Sequence, residues 1–196
     1  MSTITTAITP QDILAFYIDE VGPAGWFEQS DTLDETIRSR FMAVWELARD
    51  KRLKNWFATR EGTLALVIVL DQFARNMFRD DGRAFSTDMG ARKVAKFAIA
   101  RGDDMATAEP GRSIYYLPLM HSEYTPDQDA SVRAFKARSV GSNMLLHARA
   151  HREIIRKFGR FPTRNAMLMR TSSPAEQAFL DEGGYGKIVQ SLSAGA

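Results

Sequence analysis

Residues 62–78 read GTLALVIVLDQFARNMF, and this stretch decides the fold. Its first half is rich in β-branched residues, a composition that suits either a buried strand or a buried helix. Neither Gly nor Pro interrupts the 16 residues from 63 to 78, and that length favours a helix. The stretch is therefore predicted to be a central, mostly buried helix.

Helix start signals recur on either side of this helix. A hydroxyl residue, a proline and an acid or amide at the third helical position occur in TPQD at 9–12, TPDQ at 125–128 and SPAE at 173–176. In such a start, the hydroxyl accepts a hydrogen bond from a free backbone amide and the proline occupies a position where no donor is needed. The three copies predict three helix N-termini.

Apolar spacing and helix stop signals place the other helices. One apolar stripe of an amphipathic helix is formed by Leu33, Ile37, Phe41, Val44 and Ala48. Further helices are predicted at about 88–101, 110–122, 126–139, 143–158 and from 174 to the glycine pair at 183–184. The second of these is expected to bend at Pro118.

The expected architecture is all-α, a single domain over residues 1–196 with about eight helices. Its ordered core is expected at about residues 10–185, with flexible tails at both ends.

Composition excludes several classes of protein. With 44% apolar and 26% charged residues, the chain is expected to pack a globular core. Because it has no cysteine, it has no disulfide, thiolate metal site or cysteine nucleophile. The longest apolar run, Leu64 to Leu70, is too short for a membrane span, and the first nine residues do not resemble a secretory signal. A cytoplasmic protein without membrane contact is expected.

Charge is distributed unevenly along the chain. Residues 1–50 hold three basic and nine acidic residues, whereas residues 131–170 hold ten basic residues and one acidic residue, Glu153. Either an external anion or docking against the acidic first helices would balance the basic segment. Nucleic acid is not an expected partner, because the arginines do not form one polybasic block interleaved with aromatic residues.

Three polar clusters lie in the predicted helices and turns. The first is the polar stripe of Gln72, Arg75, Asn76 and Arg79 at the end of the central helix, where Asp71 can pair with Arg75. The second combines an imidazole, a hydroxyl and a carboxylate that can exchange protons. The third places arginines on both sides of a stiff proline turn. The second cluster contains His121, Ser122 and Glu123. The third cluster contains His151, Arg160, Arg164 and Asn165.

Other kinds of chemistry fit these clusters poorly. His147 and His151 lie four residues apart on one predicted helix, a metal-ligand spacing, but the surrounding arginines would repel a cation. Ser122 lacks the Gly-x-Ser-x-Gly turn of a serine hydrolase, and no phosphate-cradling glycine loop is present. No metal and no cofactor are expected.

The motifs resemble those of bacterial proteins called domain of unknown function 924. The resemblance covers nearly the whole chain through WF at 26–27, LDQFxRN at 70–76, RAFxTD at 83–88, YLPLMHSE at 116–123 and FGRFPxRN at 158–165. The sequence departs from the family pattern at Ala74, where the family often has Pro, at Thr163, where His is common, and at His147, which is not a family position. The resemblance implies a helical, tetratricopeptide-like fold with a polar centre, and no established reaction.

Two functions remain open, and the sequence does not decide whether the chain is an enzyme. In the first, a small phosphate or carboxylate binds in a pocket where the three clusters converge, with tentative catalytic roles for His121, Glu123 and His151. In the second, the helices form a scaffold whose concave face binds a protein or peptide. The ligand-binding residues predicted for the first function are Asp71, Gln72, Arg75, Asn76, Arg79, Ser122, Arg160, Arg164 and Asn165.

Overall fold

The computed structural model describes residues 8–139 and 143–194. Helices, turns and bends account for the secondary structure of this part of the chain, and no strand occurs in it, which confirms the all-α prediction. Its internal contacts divide it into two compact units. The N-terminal unit runs up to Arg79 and resumes from Ala84 to Tyr115, and the C-terminal unit contains Asp80–Arg83 and the residues from Tyr116 onward.

The N-terminal unit contains eight α-helical segments together with two π-helical segments and a 3-10 turn. In chain order they are α1 (Pro10–Leu14), a π segment (Ala15–Val21), α2 (Gly22–Gly25), α3 (Asp31–Arg49), a 3-10 turn (Lys54–Ala58), α4 (Arg60–Val67), a π segment (Ile68–Phe73), α5 (Ala74–Met77), α6 (Asp88–Arg101), α7 (Asp103–Ala106) and α8 (Gly111–Ile114). A further 3-10 turn (Gly82–Phe85) lies between α5 and α6 in the chain.

The central helix consists of α4, the π segment Ile68–Phe73 and α5, which follow one another without a break. Every residue from Thr63 to Ala74 is buried, as are Met77 and Phe78. Helices α1, α3 and α6 pack against it. The Phe41 and Phe73 rings stack with centroids 4.9 Å apart, so aromatic contacts join α3 to the central helix. The predicted central, mostly buried helix is confirmed.

The C-terminal unit is built around α11. Its elements are α9 (Leu117–Met120), α10 (Thr125–Arg138), α11 (Met144–Phe158), a 3-10 turn (Pro162–Arg164), α12 (Pro174–Asp181) and α13 (Gly184–Ala194). Both α10 and α13 pack against α11. An apolar cluster of Ile154, Ile155, Phe161 and Phe179 holds this packing, and Tyr185 and Ile188 of α13 lie against it.

When the segments that continue without a break, such as α4 and α5, are counted as one helix, the described residues form about ten helices, more than the eight that the sequence predicts. The predicted helix at 110–122 is two helices, α8 and α9. Pro118 explains the division, because a proline within a helix has no amide donor and its ring clashes with the carbonyl four residues earlier, here that of Ile114, where α8 ends.

Helix α13 was not predicted. Gly183 and Gly184, interpreted as the end of the last helix, both have positive φ, at 101° and 52°, and connect α12 to α13. Residues 1–7, 195 and 196, on which part of the predicted tails falls, lie outside the described residues.

Two of the three predicted helix starts have the expected cap. Thr9 and Ser173 each form a full capping box, with Asp12 and Glu176 respectively. The third prediction is wrong in detail, because Thr125 is already the first helical residue and the N-cap is Tyr124, whose side chain makes no cap hydrogen bond. The Tyr124 amide instead donates to the Ser122 hydroxyl, at 3.2 Å.

None of the helices formed by the described residues combines the length and the apolar character that a membrane crossing requires.

The two start signals in the C-terminal unit offer a matched test of capping. We expect Ser173→Ala to lower the free energy of unfolding by about 1 kcal/mol, because it removes a side chain that accepts from the Glu176 amide. Thr125→Ala, in the same sequence motif, is expected to change it by less than about 0.5 kcal/mol. Urea unfolding followed by circular dichroism measures both, and equal losses would contradict the assignment of the caps.

Candidate functional site

The predicted site residues are divided between the two units. Those from Asp71 to Arg79 lie in the N-terminal unit, and those from His121 to Asn165 lie in the C-terminal unit. Their convergence on one pocket stays a prediction.

Asp34 on α3 accepts hydrogen bonds from Asn76 and Arg79, the last two residues of the predicted polar stripe. Arg79 donates to both of its carboxylate oxygens, at 2.6 and 2.8 Å, and the Asn76 amide donates at 2.7 Å. Burial raises the pKa of Asp34, but the hydrogen bonds from Arg79 and Asn76 outweigh it and the net pKa is lowered. This bidentate pair joins α3 to the end of the central helix.

The first part of the stripe forms a second buried network, where the two π segments meet. The Tyr17 hydroxyl donates to Oε1 of the Gln72 side chain at 3.0 Å, and Nε2 of the same side chain donates to the Asp71 carboxylate. Arg75 lies 3.3 Å from the Asp71 carboxylate and 3.1 Å from that of Asp88. Because these side chains pair with one another across helices, the arrangement is that of a structural network between helices.

We expect Arg79→Ala to lower the free energy of unfolding by about 2 kcal/mol, because it leaves the buried Asp34 carboxylate without its bidentate partner. The matched control is Arg83→Ala, which removes an exposed ion pair with Asp81 and should have little effect. Chemical denaturation measures both. If Arg79→Ala retained full stability, the structural assignment of this network would be wrong.

In the C-terminal unit, the side chains of Ser122 and Glu123 engage different partners. The Ser122 hydroxyl donates to Asp127 at 2.9 Å. Glu123 accepts from both terminal nitrogens of Arg170, at 2.8 and 3.0 Å, and from the Phe161 amide at 2.9 Å. Proton exchange between these two neighbours and His121, which their adjacency suggests, stays a prediction.

Glu123 is held as a carboxylate. Burial raises its pKa, but the hydrogen bonds from Arg170 and from the Phe161 amide outweigh burial, so the net pKa is lowered. A carboxylate paired in this way suits anchoring of the segment from 161 to 170 better than proton transfer.

Arg160 and Asn165 also have partners within this unit. Arg160 donates to both carboxylate oxygens of Glu176, at 2.6 and 2.7 Å, and to the Thr171 carbonyl at 3.0 Å. The buried Asn165 amide donates to the Ser172 hydroxyl at 3.0 Å. These bonds attach the loop after the 3-10 turn to the start of α12.

A histidine cluster occupies the face of α11 that meets α13. It contains His121, His147, His151 and Tyr185. The His151 ring has its centroid 6.0 Å from that of His121 and 5.0 Å from that of Tyr185. Arg164 borders the cluster, since it donates to the His121 carbonyl at 2.9 Å. Its guanidinium lies 4.6 Å from the centre of the Phe161 ring, which in turn contacts His151 at 5.4 Å.

The tautomer of His151 follows from one hydrogen bond. Its Nδ1 lies 2.9 Å from the His147 carbonyl oxygen, which can only accept, so the proton is on Nδ1 and the lone pair is on Nε2. Burial is the largest cause that lowers the pKa of His151 to about 3, and electrostatic interaction with His121 and Arg164 acts in the same direction. His151 is therefore a neutral ring with Nε2 as a hydrogen-bond acceptor.

Tyr185 contacts the histidine cluster, although no sequence pattern indicated it. Its hydroxyl lies 2.5 Å from Nδ1 of His147, and the two rings stack with centroids 6.1 Å apart. Burial raises the pKa of Tyr185 to about 12 and lowers that of His147, so both side chains are neutral at pH 7. The two residues also line an open cleft of about 750 Å³ along α13. The four-residue spacing of His147 and His151 was the only sequence signal for this cluster.

The arginines of the basic segment find carboxylates just outside it. Arg152 and Arg156 both lie 3.4 Å from Asp129, and Arg160 and Arg170 pair as described above. The charge excess between residues 131 and 170 is thus partly balanced by flanking residues. Across 8–139 and 143–194, no three His, Asp or Glu side chains are grouped in a way that could hold a metal ion.

The pKa of His151 predicts how stability depends on pH. An unfolded histidine has a pKa near 6.5, so between about 6.5 and 3 the unfolded chain binds a proton that the folded chain excludes. Stability contributed by neutral His151 is therefore present above pH 6.5 and falls as the pH is lowered. We expect the ring proton resonances of His151 to stay unchanged from pH 8 to pH 5 in nuclear magnetic resonance spectra. A titration midpoint near 6.5 would contradict this geometry.

The comparisons with known proteins agree with this fold. A solved structure of a protein of unknown function from Agrobacterium tumefaciens is 37% identical, with a TM-score of 0.84 over 89% of this chain and 97% of that chain. No curated protein matches the chain. The family model described as bacterial protein of unknown function (DUF924) matches residues 13–184. The chain therefore belongs to the DUF924 family.

Proposed function

We propose that the C-terminal unit binds a small anion, a phosphate or a carboxylate, beside Arg164 and the histidine cluster. One observation carries this proposal: Arg164 borders the histidine cluster, with its guanidinium 4.6 Å from the centre of the Phe161 ring that contacts His151. A partly buried site with a positive potential favours an anionic ligand.

Arg164 supplies the donors in this proposal. Its guanidinium stacks on Phe161, and one terminal nitrogen donates to the His121 carbonyl. A planar guanidinium can pair with two oxygens of one anion.

The low pKa of His151 suits this residue to binding a ligand rather than to abstracting a proton from it. A base with a pKa of about 3 holds a proton poorly at neutral pH. Its neutral Nε2 is suited to accepting a hydrogen bond from the ligand. Acid-base chemistry at this site would therefore fall to His121.

A thermal scan tests the proposal. Phosphate, sulfate or small carboxylates should raise the melting temperature above that in chloride at the same ionic strength, because a ligand that binds only the native state stabilises it. At one hundred times the dissociation constant, the gain is about 2.7 kcal/mol.

Two arginine variants separate specific binding from general screening. Arg164→Ala should abolish the shift, whereas Arg156→Ala, which removes a half-exposed surface arginine on α11, should retain it. If no anion gives a shift beyond that of chloride, the anion site is refuted. The alternative, a helical scaffold that binds a protein or peptide, would then be the better hypothesis.

A further inference from the structure

Helix α13 lies over the face of α11 that carries His147 and His151. The ring of Tyr185, in the first turn of α13, has its centroid 6.1 Å from that of His147 and 5.0 Å from that of His151. Its hydroxyl shares a hydrogen bond with Nδ1 of His147. Tyr185 and Ile188 also pack on the apolar cluster of this unit. Because one tyrosine contacts both imidazoles, movement of α13 away from α11 would uncover the two rings together.

The attachment of α13 to the rest of the unit is shallow. In the described helix, Gly184–Ala194, Gly184 alone is fully buried, and the apolar side chains between Tyr185 and Leu192 are half-buried. Open clefts of about 750 and 400 Å³ flank the helix. An element with few buried contacts opens at a lower free energy than the whole chain unfolds.

Two glycines connect α13 to α12. Gly183 and Gly184 have φ of 101° and 52°, a left-handed region that glycine adopts without strain and other residues do not. The ion pair of Lys187 with Glu182 crosses this connection, but both side chains are exposed, so the pair contributes little stability. A hinge is a short segment that absorbs a change of φ and ψ in this way.

We propose that α13 is a lid that opens about Gly183 and Gly184 and controls the access of small molecules to His147 and His151. Tyr185 is the latch of this lid, because its hydroxyl bonds to one imidazole and its ring covers the other. The inference goes beyond the proposed anion site, since it concerns access to the two rings and holds for a ligand of any charge.

Hydrogen–deuterium exchange of the full chain measures the opening. A helix of 11 residues is marginal in water once it is undocked, so the amides of α13 exchange when the lid opens. They should exchange about a hundredfold faster than those of α11, at a rate that depends little on urea, as expected of local opening. Exchange of α13 only together with α11, at the same rate and with the same urea dependence, would refute the lid.

Two variants test the hinge and the latch. Gly184→Ala should speed the exchange of α13 about fivefold, because alanine at this positive φ is strained in the closed form and relaxes in the open one. Its added Cβ meets Phe179 at 3.9 Å, an ordinary contact, so no clash contributes. Tyr185→Phe keeps the ring but removes the hydroxyl, and should speed exchange by a similar factor.

The matched control is Gly186→Ala, two residues into the same helix from the hinge. An added Cβ there meets no atom within 4 Å, and alanine favours the helix more than glycine does, so the exchange of α13 should become slower. Exchange of α10 should stay unchanged in all three variants, which shows that the unit remains folded. Unchanged exchange of α13 in both Gly184→Ala and Tyr185→Phe would overturn the assignment of hinge and latch.

Carbethoxylation by diethyl pyrocarbonate, a neutral reagent that modifies unprotonated imidazoles, measures access to His147 and His151 by peptide mass spectrometry. The modification of His151 should rise about fivefold in Gly184→Ala, in parallel with the exchange of α13, and should fall in Gly186→Ala. If exchange changed but modification did not, α13 would open without controlling access, and the lid would be overturned. Neither measurement uses an anionic ligand, so failure of the lid leaves the anion site standing, and failure of the anion site leaves the lid.

Discussion

Bidentate pairing of arginines with partly or fully buried carboxylates is the interaction on which the arrangement of helices in each unit depends. Asp34, Glu123 and Glu176 each receive two hydrogen bonds from one guanidinium, those of Arg79, Arg170 and Arg160. A buried carboxylate without such a partner would carry a large desolvation cost, so removing either member destabilises the fold. These pairs attach α3 to the central helix, the segment between α9 and α10 to the loop after α11, and that loop to α12. Their arginines are therefore committed to structure.

Much of the helical arrangement could be predicted because its causes are local. The absence of Gly and Pro from residues 63–78 permits a long helix, and the side chains of Thr9 and Ser173 reach their own first turns. Thr125 carries the same motif but is helical, since the preceding turn places Tyr124 at the N-cap. That turn is set by the Ser122 hydroxyl, which accepts a hydrogen bond from the Tyr124 amide and donates one to Asp127. The burial of Tyr185 against α11, which no local pattern reveals, accompanies the unpredicted α13.

The candidate site was less predictable, because adjacency in sequence does not determine where side chains point. Residues 121–123 are neighbours, but Ser122 bonds to Asp127 and Glu123 bonds to Arg170. The charge count over residues 131–170 overstated the free positive charge, because partners such as Asp129 lie just outside the counted segment. The spacing of His147 and His151 did predict a shared helix face. The protonation state of His151 could not be predicted, because it depends on burial and on charges from other elements of the unit.

A neutral histidine can do at this site what a carboxylate could not. Both groups offer a hydrogen-bond acceptor, but a carboxylate would cancel the positive potential of Arg164 and repel an anion. An imidazole whose Nδ1 proton is committed to a backbone carbonyl accepts through Nε2 and adds no negative charge. Burial lowers the pKa of His151 most, and the charge of Arg164 acts in the same direction, so both help to keep this acceptor unprotonated. A positive charge and a neutral hydrogen-bond acceptor can therefore coexist in one small site.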